Sequence, residues 1–315
     1  MELWEDAATT YFLGVQVYAF GLYAALGMAV GMIALALLMR RGKLKAGTTP
    51  LTCLMALVCG FILSRLFFCL MDRNLGGPVP LSGVLMLTGG GYSMMGAILG
   101  ASIGTVLSAK MTRQAPAKLL DYLAPALLLF IACERLGEGY IEDFGISRPL
   151  VGDLLKDSFL AVKGEYDWRL ATYLSESFIA LILSVVAIRD LGHIRRAGDT
   201  YLLFLMLYGA SQVVMESLRF DQHMHLSFVG LQQVMALLLL CAAVIVLAVR
   251  RWKEQKKLAV LAVSSLPLVC VFGVALEFAI DRTRISRYLI YVVFALVVAA
   301  PVIMGLKLRK GNRHG

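Results

Sequence analysis

The sequence predicts an all-α protein that crosses a membrane several times. Of its 315 residues, 59% are hydrophobic and only 16% are charged, and the mean hydropathy is +0.78. A soluble domain of this size cannot bury that much apolar surface. The apolar runs are long and continuous rather than short and alternating. Because lipid admits only helices and closed barrels, such runs predict transmembrane helices.

Nine apolar runs are each close to the roughly 20 residues that a helix needs to cross a bilayer. They cover residues 12–39, 51–71, 87–109, 119–134, 173–190, 199–217, 231–249, 258–280 and 288–307. The acidic residues near Met1 differ from the basic start of a signal peptide, so we expect no cleavable signal.

The loops between these runs alternate in charge, which predicts the orientation of the chain. Five basic stretches hold 19 of the 30 Lys and Arg residues, namely 40–45, 110–118, 189–196, 250–257 and the tail from 307. With nine spans, all five lie on one side, and the positive-inside rule makes that side cytoplasmic. The N-terminus then lies outside and the C-terminus inside. The segment 135–172 also lies outside, and we interpret it as an external cap or an amphipathic interfacial segment.

Composition excludes several other classes of protein. The net charge of +9 does not indicate nucleic-acid binding, because the basic residues lie between apolar runs. The six cysteines lie almost wholly inside those runs without CxxC spacing, which is typical of small buried side chains. His223 and His225 with Asp221 are weak metal-site candidates, since such short polar loops are usually solvated. We expect no metal.

A charged stretch directly follows the apolar run 123–133. Residues 134–145 hold one cation, Arg135, four carboxylates that include Glu138, and three glycines that include Gly137 and Gly145. Ionisable groups at membrane depth are costly and usually serve a function. A solvated loop that caps a helix is the alternative interpretation, and composition alone does not decide between the two.

Two further stretches have helical spacing. Tyr208, Gln212, Glu216 and Arg219 fall at intervals of four, four and three, which places them on one helix face. Such a polar stripe lines a wet cavity, or it only joins helices through hydrogen bonds. The other stretch has glycines at 96, 100 and 104, typical of close helix packing, and follows Gly91, where the backbone can approach a ligand.

Together these stretches resemble the prolipoprotein diacylglyceryl transferase family, whose signature is close to GR-x-GNF-x-NGE-x-x-G preceded by D-x-x-AP. Residues 121–125 match the lead-in, and Arg135 and Gly137 match the arginine and the first glycine. Glu142 or Asp143 stands at the position of the family's glutamate. The resemblance therefore centres on the charged stretch.

Other pieces follow the family order. Arg65 resembles the arginine of the family's second span, Glu176 resembles the glutamate of its LYE element, and residues 208–221 resemble its YG-x-x-RF-x-x-E-x-x-R-x-x-D segment. The resemblance implies a seven-span core over residues 1–250. Residues 251–315 are then two additional transmembrane helices and a basic cytoplasmic tail.

The sequence departs from the family at four functional positions. Met95 replaces a histidine, Gln212 an arginine, Phe20 a tyrosine and Glu138 an asparagine. A histidine can accept a proton and a methionine cannot, and only an arginine offers phosphate a planar fork of donors.

The resemblance implies transfer of a diacylglyceryl group from phosphatidylglycerol to the lipobox cysteine thiol of a prolipoprotein, with release of glycerol phosphate, in the bacterial cytoplasmic (inner) membrane. The expected partners are phosphatidylglycerol, the lipobox peptide and membrane lipids. The nucleophile belongs to the substrate, so no cofactor is expected. The site must favour the thiolate and hold the phosphate.

We expect Arg135 to bind the phosphate, supported by Arg219 or Arg65. The candidates for accepting a proton, orienting the arginines or contacting the glycerol head group are Glu138, Asp143 and Glu216. The remaining candidate lipid-binding residues are Gly91, Met95, Gly137, Glu142, Tyr208 and Gln212.

Two other functions remain open at this level. In the first alternative, the protein is a diverged family member that binds or modifies another lipid. The replacement of the family's histidine and arginine favours this alternative. Otherwise it is a small-solute transporter, but the sequence lacks the internal repeat and paired broken spans of many transporters.

Overall fold

The computed structural model describes residues 9–12, 15–76, 91–141, 144–150, 155–163, 167–193, 196–220, 225–226, 229–282 and 286–310. Within these residues the chain forms nine helices: α1 (Ala19–Arg41), α2 (Thr48–Gly76), α3 (Met94–Met111), α4 (Pro116–Glu138), α5 (Thr172–Leu191), α6 (Asp199–Leu218), α7 (Leu231–Arg250), α8 (Lys256–Arg282) and α9 (Arg287–Lys310). The short strands there are β1 (Thr9–Phe12), β2 (Val15–Tyr18), β3 (Ile146–Pro149), β4 (Ala161–Lys163), β5 (Trp168–Ala171), β6 (His225–Leu226) and β7 (Val229–Gly230).

Eight of the helices in the described ranges, α1–α4 and α6–α9, are long and apolar enough to span a bilayer. The prediction of an all-α, multi-pass membrane protein is therefore confirmed. Helix α5 lies where the fifth span was predicted and is 20 residues long, but it is not one of the eight. It carries Glu176, Arg189 and Asp190 among its apolar residues. Its crossing of the membrane stays a prediction.

Three predicted boundaries are corrected. The first span begins at Ala19 rather than at 12, because β1 and β2 precede it as an antiparallel pair rich in Thr, Tyr, Phe and Val. The third begins at Met94 rather than at 87, because Ser93 is its N-cap and accepts a hydrogen bond from the Gly96 amide. The fourth continues beyond 134 to Glu138.

The described residues divide into two compact units. The larger lies within Met1–Ala25, Ile131–Leu183 and Leu202–Gly315, and the smaller within Leu26–Phe130 and Ser184–Tyr201. The larger unit holds the segment predicted as a cap, and the smaller unit holds α2 and α3.

In the smaller unit, α2 and α3 pack closely through the predicted glycine face. A Cβ atom at Gly96 would lie 2.6 Å from the Leu63 carbonyl oxygen. At Gly100 a Cβ would overlap the carbonyl oxygen of Cys59, and at Gly104 one would overlap the carbonyl oxygen of Met55. The prediction that these glycines form a close-packing face is confirmed.

Asp121, the first residue of the family lead-in, caps a helix in the smaller unit. Its side chain is buried and accepts hydrogen bonds from the backbone amides of Gly198, at 2.7 Å, and Tyr201, at 2.9 Å. These amides belong to the start of α6, whose first N–H groups have no partner within the helix. A carboxylate also interacts favourably with the positive end of the helix dipole. The role of Asp121 is therefore to hold the start of α6 in place.

In the larger unit, the segment predicted as a cap contains a three-stranded antiparallel sheet in the order β3-β5-β4. The sequence did not predict these strands, which are only three or four residues long. Strand β3 also forms an antiparallel bridge from Ser147 to Arg219, directly after α6. The sheet thus joins the segment after α4 to the end of α6.

Candidate active site

The last turn of α4 carries the first two residues of the site. Arg135 and Glu138 are three positions apart and therefore share a helix face. They are only 1% and 2% exposed, and Arg135 Nη1 donates a hydrogen bond to Glu138 Oε1. The interpretation of this turn as a solvated loop is therefore wrong for residues 135–138.

Helix α5 and the residue that directly follows α6 complete a buried ion-pair cluster, which consists of Arg135, Glu138, Glu176 and Arg219. Arg135 Nε lies 2.9 Å from Glu176 Oε2. Arg219 Nη1 lies 3.0 Å from Glu138 Oε2 and 3.2 Å from Glu176 Oε1. Each guanidinium group thus faces both carboxylates.

The cluster is electrically balanced, with two formal positive and two formal negative charges. Transfer of such groups from water is expensive unless they are paired and hydrogen-bonded. Glu134 adds a third carboxylate, with Oε2 3.9 Å from Arg135 Nε. The side chains of the four cluster members are at most 3% exposed. Removal of one member would leave an unbalanced buried charge.

The residues 145–147 hold the three helix ends together. The Gly145 carbonyl accepts from the Tyr173 amide at 3.0 Å, at the start of α5. The Ile146 carbonyl accepts from the Phe220 amide at 2.9 Å, just after α6. These two bonds bring the start of α5 and the end of α6 to the chain that leaves α4. Tertiary hydrogen bonds, rather than helix propensity, therefore assemble the ion-pair cluster.

Gly145 has a conformation and a location that favour glycine. Its φ is +66°, in the left-handed region that L residues with a Cβ rarely adopt. A Cβ there would lie 2.9 Å from Tyr173 Cβ and 3.0 Å from Glu138 Oε2. The glycine therefore allows the backbone to pass directly beside the ion-pair cluster.

Gly137 permits a second close approach. A Cβ on it would lie 2.9 Å from Tyr23 Cβ and 3.2 Å from Phe20 Cα, near the start of α1. The ring of Tyr23 stacks on Tyr140 with centroids 5.3 Å apart. Phe20, where the family has a tyrosine, therefore packs against the last turn of α4.

The predicted polar face of α6 is buried. Tyr208 and Gln212 are each 1% exposed and Glu216 is 9% exposed. Arg219 follows the end of α6, where its guanidinium also lies 5.2 Å from the centre of the Phe144 ring. The face therefore leads directly to the ion-pair cluster.

Several buried polar atoms near the cluster make no hydrogen bond within the described part of the chain. They include both Nε and Nη2 of Arg135, together with Tyr208 Oη and Gln212 Oε1. The Tyr208 hydroxyl lies close to the Arg135 guanidinium group. Buried polar groups are nearly always satisfied in folded proteins, so such atoms are candidates for contact with a ligand.

The remaining described candidates lie in the smaller unit. Arg65 is 8% exposed, donates to the Gly91 carbonyl at 2.8 Å and lies 5.7 Å from the Tyr92 ring centre. Gly91 has a φ of +78°, and a Cβ there would overlap the Phe68 ring. Met95 is 2% exposed in the first turn of α3. The predicted need of Arg65 for a partner is met here by a carbonyl and by aromatic rings.

Some candidates lie outside the described residues. They are Glu142, Asp143, Asp221 and His223, and His225 is described only through its backbone. Conversely, Glu176 is central to the cluster, whereas from the sequence it was only a point of family resemblance. A carboxylate five residues into an apolar helix was the signal that could have added it to the site.

The helices and this cluster define a multi-pass membrane protein with a buried, charged polar site. The chain belongs to the prolipoprotein diacylglyceryl transferase family, which it matches over residues 8–249. The match ends before α8, so α8 and α9 lie outside it.

Three relatives are named phosphatidylglycerol–prolipoprotein diacylglyceryl transferase. That of Staphylococcus xylosus is 26% identical over 205 residues, 63% of this chain and 72% of the relative. That of Staphylococcus haemolyticus is 26% identical over 208 residues, 64% of this chain and 72% of the relative. That of Staphylococcus saprophyticus is 23% identical over 252 residues, 76% of this chain and 87% of the relative.

Proposed function

We propose that this protein transfers a diacylglyceryl group from phosphatidylglycerol to the lipobox cysteine thiol of a prolipoprotein. Family membership supports the reaction class, and the buried ion-pair cluster supports the location of the site. Transfer requires a cation that can hold phosphate, and Arg135 has a buried nitrogen available to donate. The proposal rests on the observation that this buried nitrogen, Arg135 Nη2, makes no hydrogen bond to the described residues.

The reaction exchanges one bond for another at a glyceryl carbon. The thiolate sulfur forms a bond to that carbon, while the bond from the carbon to the phosphate oxygen breaks. Glycerol phosphate leaves with the bonding electrons, and the thiol proton passes to a base. Since a free thiol has a pKa of about 8.5, the site must favour its ionised form. Charge that develops on the leaving phosphate must also be stabilised.

We assign the phosphate to Arg135. Its Nε and Nη1 already face Glu176 and Glu138, whereas Nη2 makes no hydrogen bond to the described residues. The nearby Tyr208 hydroxyl is a second donor for the same phosphate oxygens. Arg219 supports the positive field from the other side of the carboxylates.

The structure favours an orienting role for Glu138. Its two oxygens accept from Arg135 and Arg219, so it fixes both guanidinium groups. Glu176 does the same from α5. A carboxylate shared by two guanidinium groups is poorly placed to take a proton from a thiol, so Glu138 compensates charge where the family carries an asparagine.

We assign proton acceptance to Glu216. Its carboxylate is buried on the α6 face that carries Tyr208 and Gln212, and its Oε2 lies beside the backbone of Gly230. With Met95 in place of the family histidine, a carboxylate is the chemically suitable base. Replacement of Glu216 by Gln should abolish turnover while leaving lipid binding intact.

The direct test uses purified protein in phosphatidylglycerol vesicles with a lipobox peptide. We expect mass spectrometry to detect the diacylglyceryl thioether with the wild type. Arg135→Ala should abolish it and Arg135→Lys should reduce it strongly, because lysine lacks the planar fork. The exposed Arg189 provides a matched control, and Arg189→Ala should retain activity.

A folded wild-type protein that retains phosphatidylglycerol but makes no thioether would contradict the proposal. That outcome would instead favour the diverged family member that binds or modifies another lipid. Retained activity in Arg135→Ala would contradict the assignment of the phosphate site alone.

A further inference from the structure

A buried glutamate lies in α8, outside the region that matches the family. Glu277 is 8% exposed and accepts a hydrogen bond from Gln233 Nε2 at 2.6 Å. Gln233 is 5% exposed and belongs to α7, within the matched region. The pair therefore joins an additional helix to the family core through two polar groups.

The carboxylate fixes the orientation of the amide. Gln233 Nε2 also donates to the Val213 carbonyl of α6 at 3.1 Å, so both of its hydrogens are used. A carboxylate acceptor and a carbonyl acceptor both require the nitrogen side of the amide. The Gln233 carboxamide cannot turn over without losing both bonds.

The Gln233 side chain contacts the part of α6 that carries Gln212 and Glu216 of the proposed site. Val213 follows Gln212 directly and is three residues before Glu216 on α6. A Cβ at Gly230, the N-cap of α7, would lie 3.7 Å from both Gln233 Cβ and Glu216 Oε2. Gln233 and Glu216 therefore border the same glycine.

The polar pair of Gln233 and Glu277 has mostly apolar surroundings. Gln233 and Glu277 line a cavity among α6, α7, α8 and α9 whose other lining residues are apolar, cysteine or glycine. A carboxylate among apolar transmembrane helices is costly and usually serves a function. Simple packing of α8 against α7 would be better served by an apolar side chain at 277.

We propose that Glu277 is a positioning residue for the transfer reaction. It holds the Gln233 carboxamide in one orientation, and Gln233 in turn holds the Gln212–Glu216 segment of α6 for proton acceptance. The role rests on the function proposed above.

The test compares Glu277→Gln with Val274→Ala, a change of another lining residue on the same helix. A glutamine at 277 keeps the size but can donate as well as accept, so only the Val213 carbonyl still requires the nitrogen side of the Gln233 amide. We expect kcat to fall roughly 10- to 100-fold, as small misplacements of reacting groups do. KM for phosphatidylglycerol and the unfolding midpoint should change little, and Val274→Ala should keep the wild-type kcat.

A swapped double variant, Gln233→Glu with Glu277→Gln, separates positioning from helix packing. It keeps a hydrogen bond between α7 and α8 but leaves the Val213 carbonyl without its donor. We expect no rescue of kcat. Wild-type kcat in Glu277→Gln, or full rescue in the swapped variant, would overturn the inference.

Amide hydrogen exchange without substrate gives a readout that does not depend on turnover. Glu277→Gln should speed exchange at residues 229–234 and 212–217, and unchanged exchange there would overturn the inference. An inactive wild-type protein would contradict the transfer reaction, and the exchange data would still decide whether Glu277 orders this segment.

Discussion

Arg135 and Glu176 meet at the centre of the site, with Arg135 Nε 2.9 Å from Glu176 Oε2. The two side chains come from the end of α4 and the start of α5. Glu176 also faces Arg219, so one carboxylate orients both guanidinium groups. The loss of this single carboxylate should therefore affect both arginines at once.

Replacement of Glu176 by Ala should destabilise the fold by about 3–5 kcal/mol, because it leaves two buried arginines with too little compensating charge. An unfolding titration in detergent measures this, and the thioether assay should show lost activity. The control is Asp167→Asn, which removes the negative charge that pairs with the part-exposed Arg169. That change should cost less than about 1 kcal/mol. Equal effects of the two variants would contradict the central role of Glu176.

Gly145→Ala should abolish transfer. The alanine would be strained at a φ of +66°, and its Cβ would crowd Glu138 Oε2 at 3.0 Å. Gly47→Ala is a matched control, since Gly47 has a φ of +81° but a Cβ there would have no atom within 4 Å. Both variants should lose about 1–2 kcal/mol to backbone strain, but only Gly145→Ala should lose activity. Comparable activity in the two would show that contact with Glu138 is unimportant.

Gly100→Ala should destabilise the smaller unit by about 1–3 kcal/mol, the range for overpacking. Its Cβ would overlap the backbone oxygen of Cys59, which cannot move as a side chain can. Gly21→Ala, at a helix position with nothing within 4 Å, should be neutral or slightly stabilising. Unfolding titrations of both variants provide the comparison. If Gly100→Ala left the free energy of unfolding unchanged, α2 and α3 would have to be able to move apart at little cost.

The proposed orientation can be checked by cysteine labelling in intact cells. Asp157→Cys, in the cap segment, should react with a membrane-impermeant maleimide. Arg113→Cys, in a basic loop, should react only after the membrane is opened. The unsubstituted protein supplies the background from its six native cysteines. The opposite labelling pattern would reverse the topology.

Much of the site followed from local patterns. The spacing of Tyr208, Gln212, Glu216 and Arg219 predicted a shared helix face. All four side chains are buried, but Arg219 follows the end of α6 instead of lying on it. Glycines at intervals of four predicted the close contact of α2 and α3, because only the absence of a Cβ permits it. Both inferences depend on helical periodicity, which a sequence displays directly.

The pairing of charges did not follow from the sequence. The sequence pointed to Arg135 and Glu138, but it left open whether Glu138 accepts a proton, orients the arginines or contacts the glycerol head group. The short strands were not predicted either, since three or four residues carry little periodic signal.

By itself, the sequence determined the membrane class, the approximate helices and the residues that interrupt their apolar faces. Hydrophobicity and helical periodicity are local properties, and lipid leaves few alternatives for them. The tertiary structure alone decided that Arg135, Glu138, Glu176 and Arg219 form one cluster, and that Glu277 of α8 reaches Gln233. Those contacts join residues far apart in the chain, and they depend on backbone bonds such as those of Gly145 and Ile146.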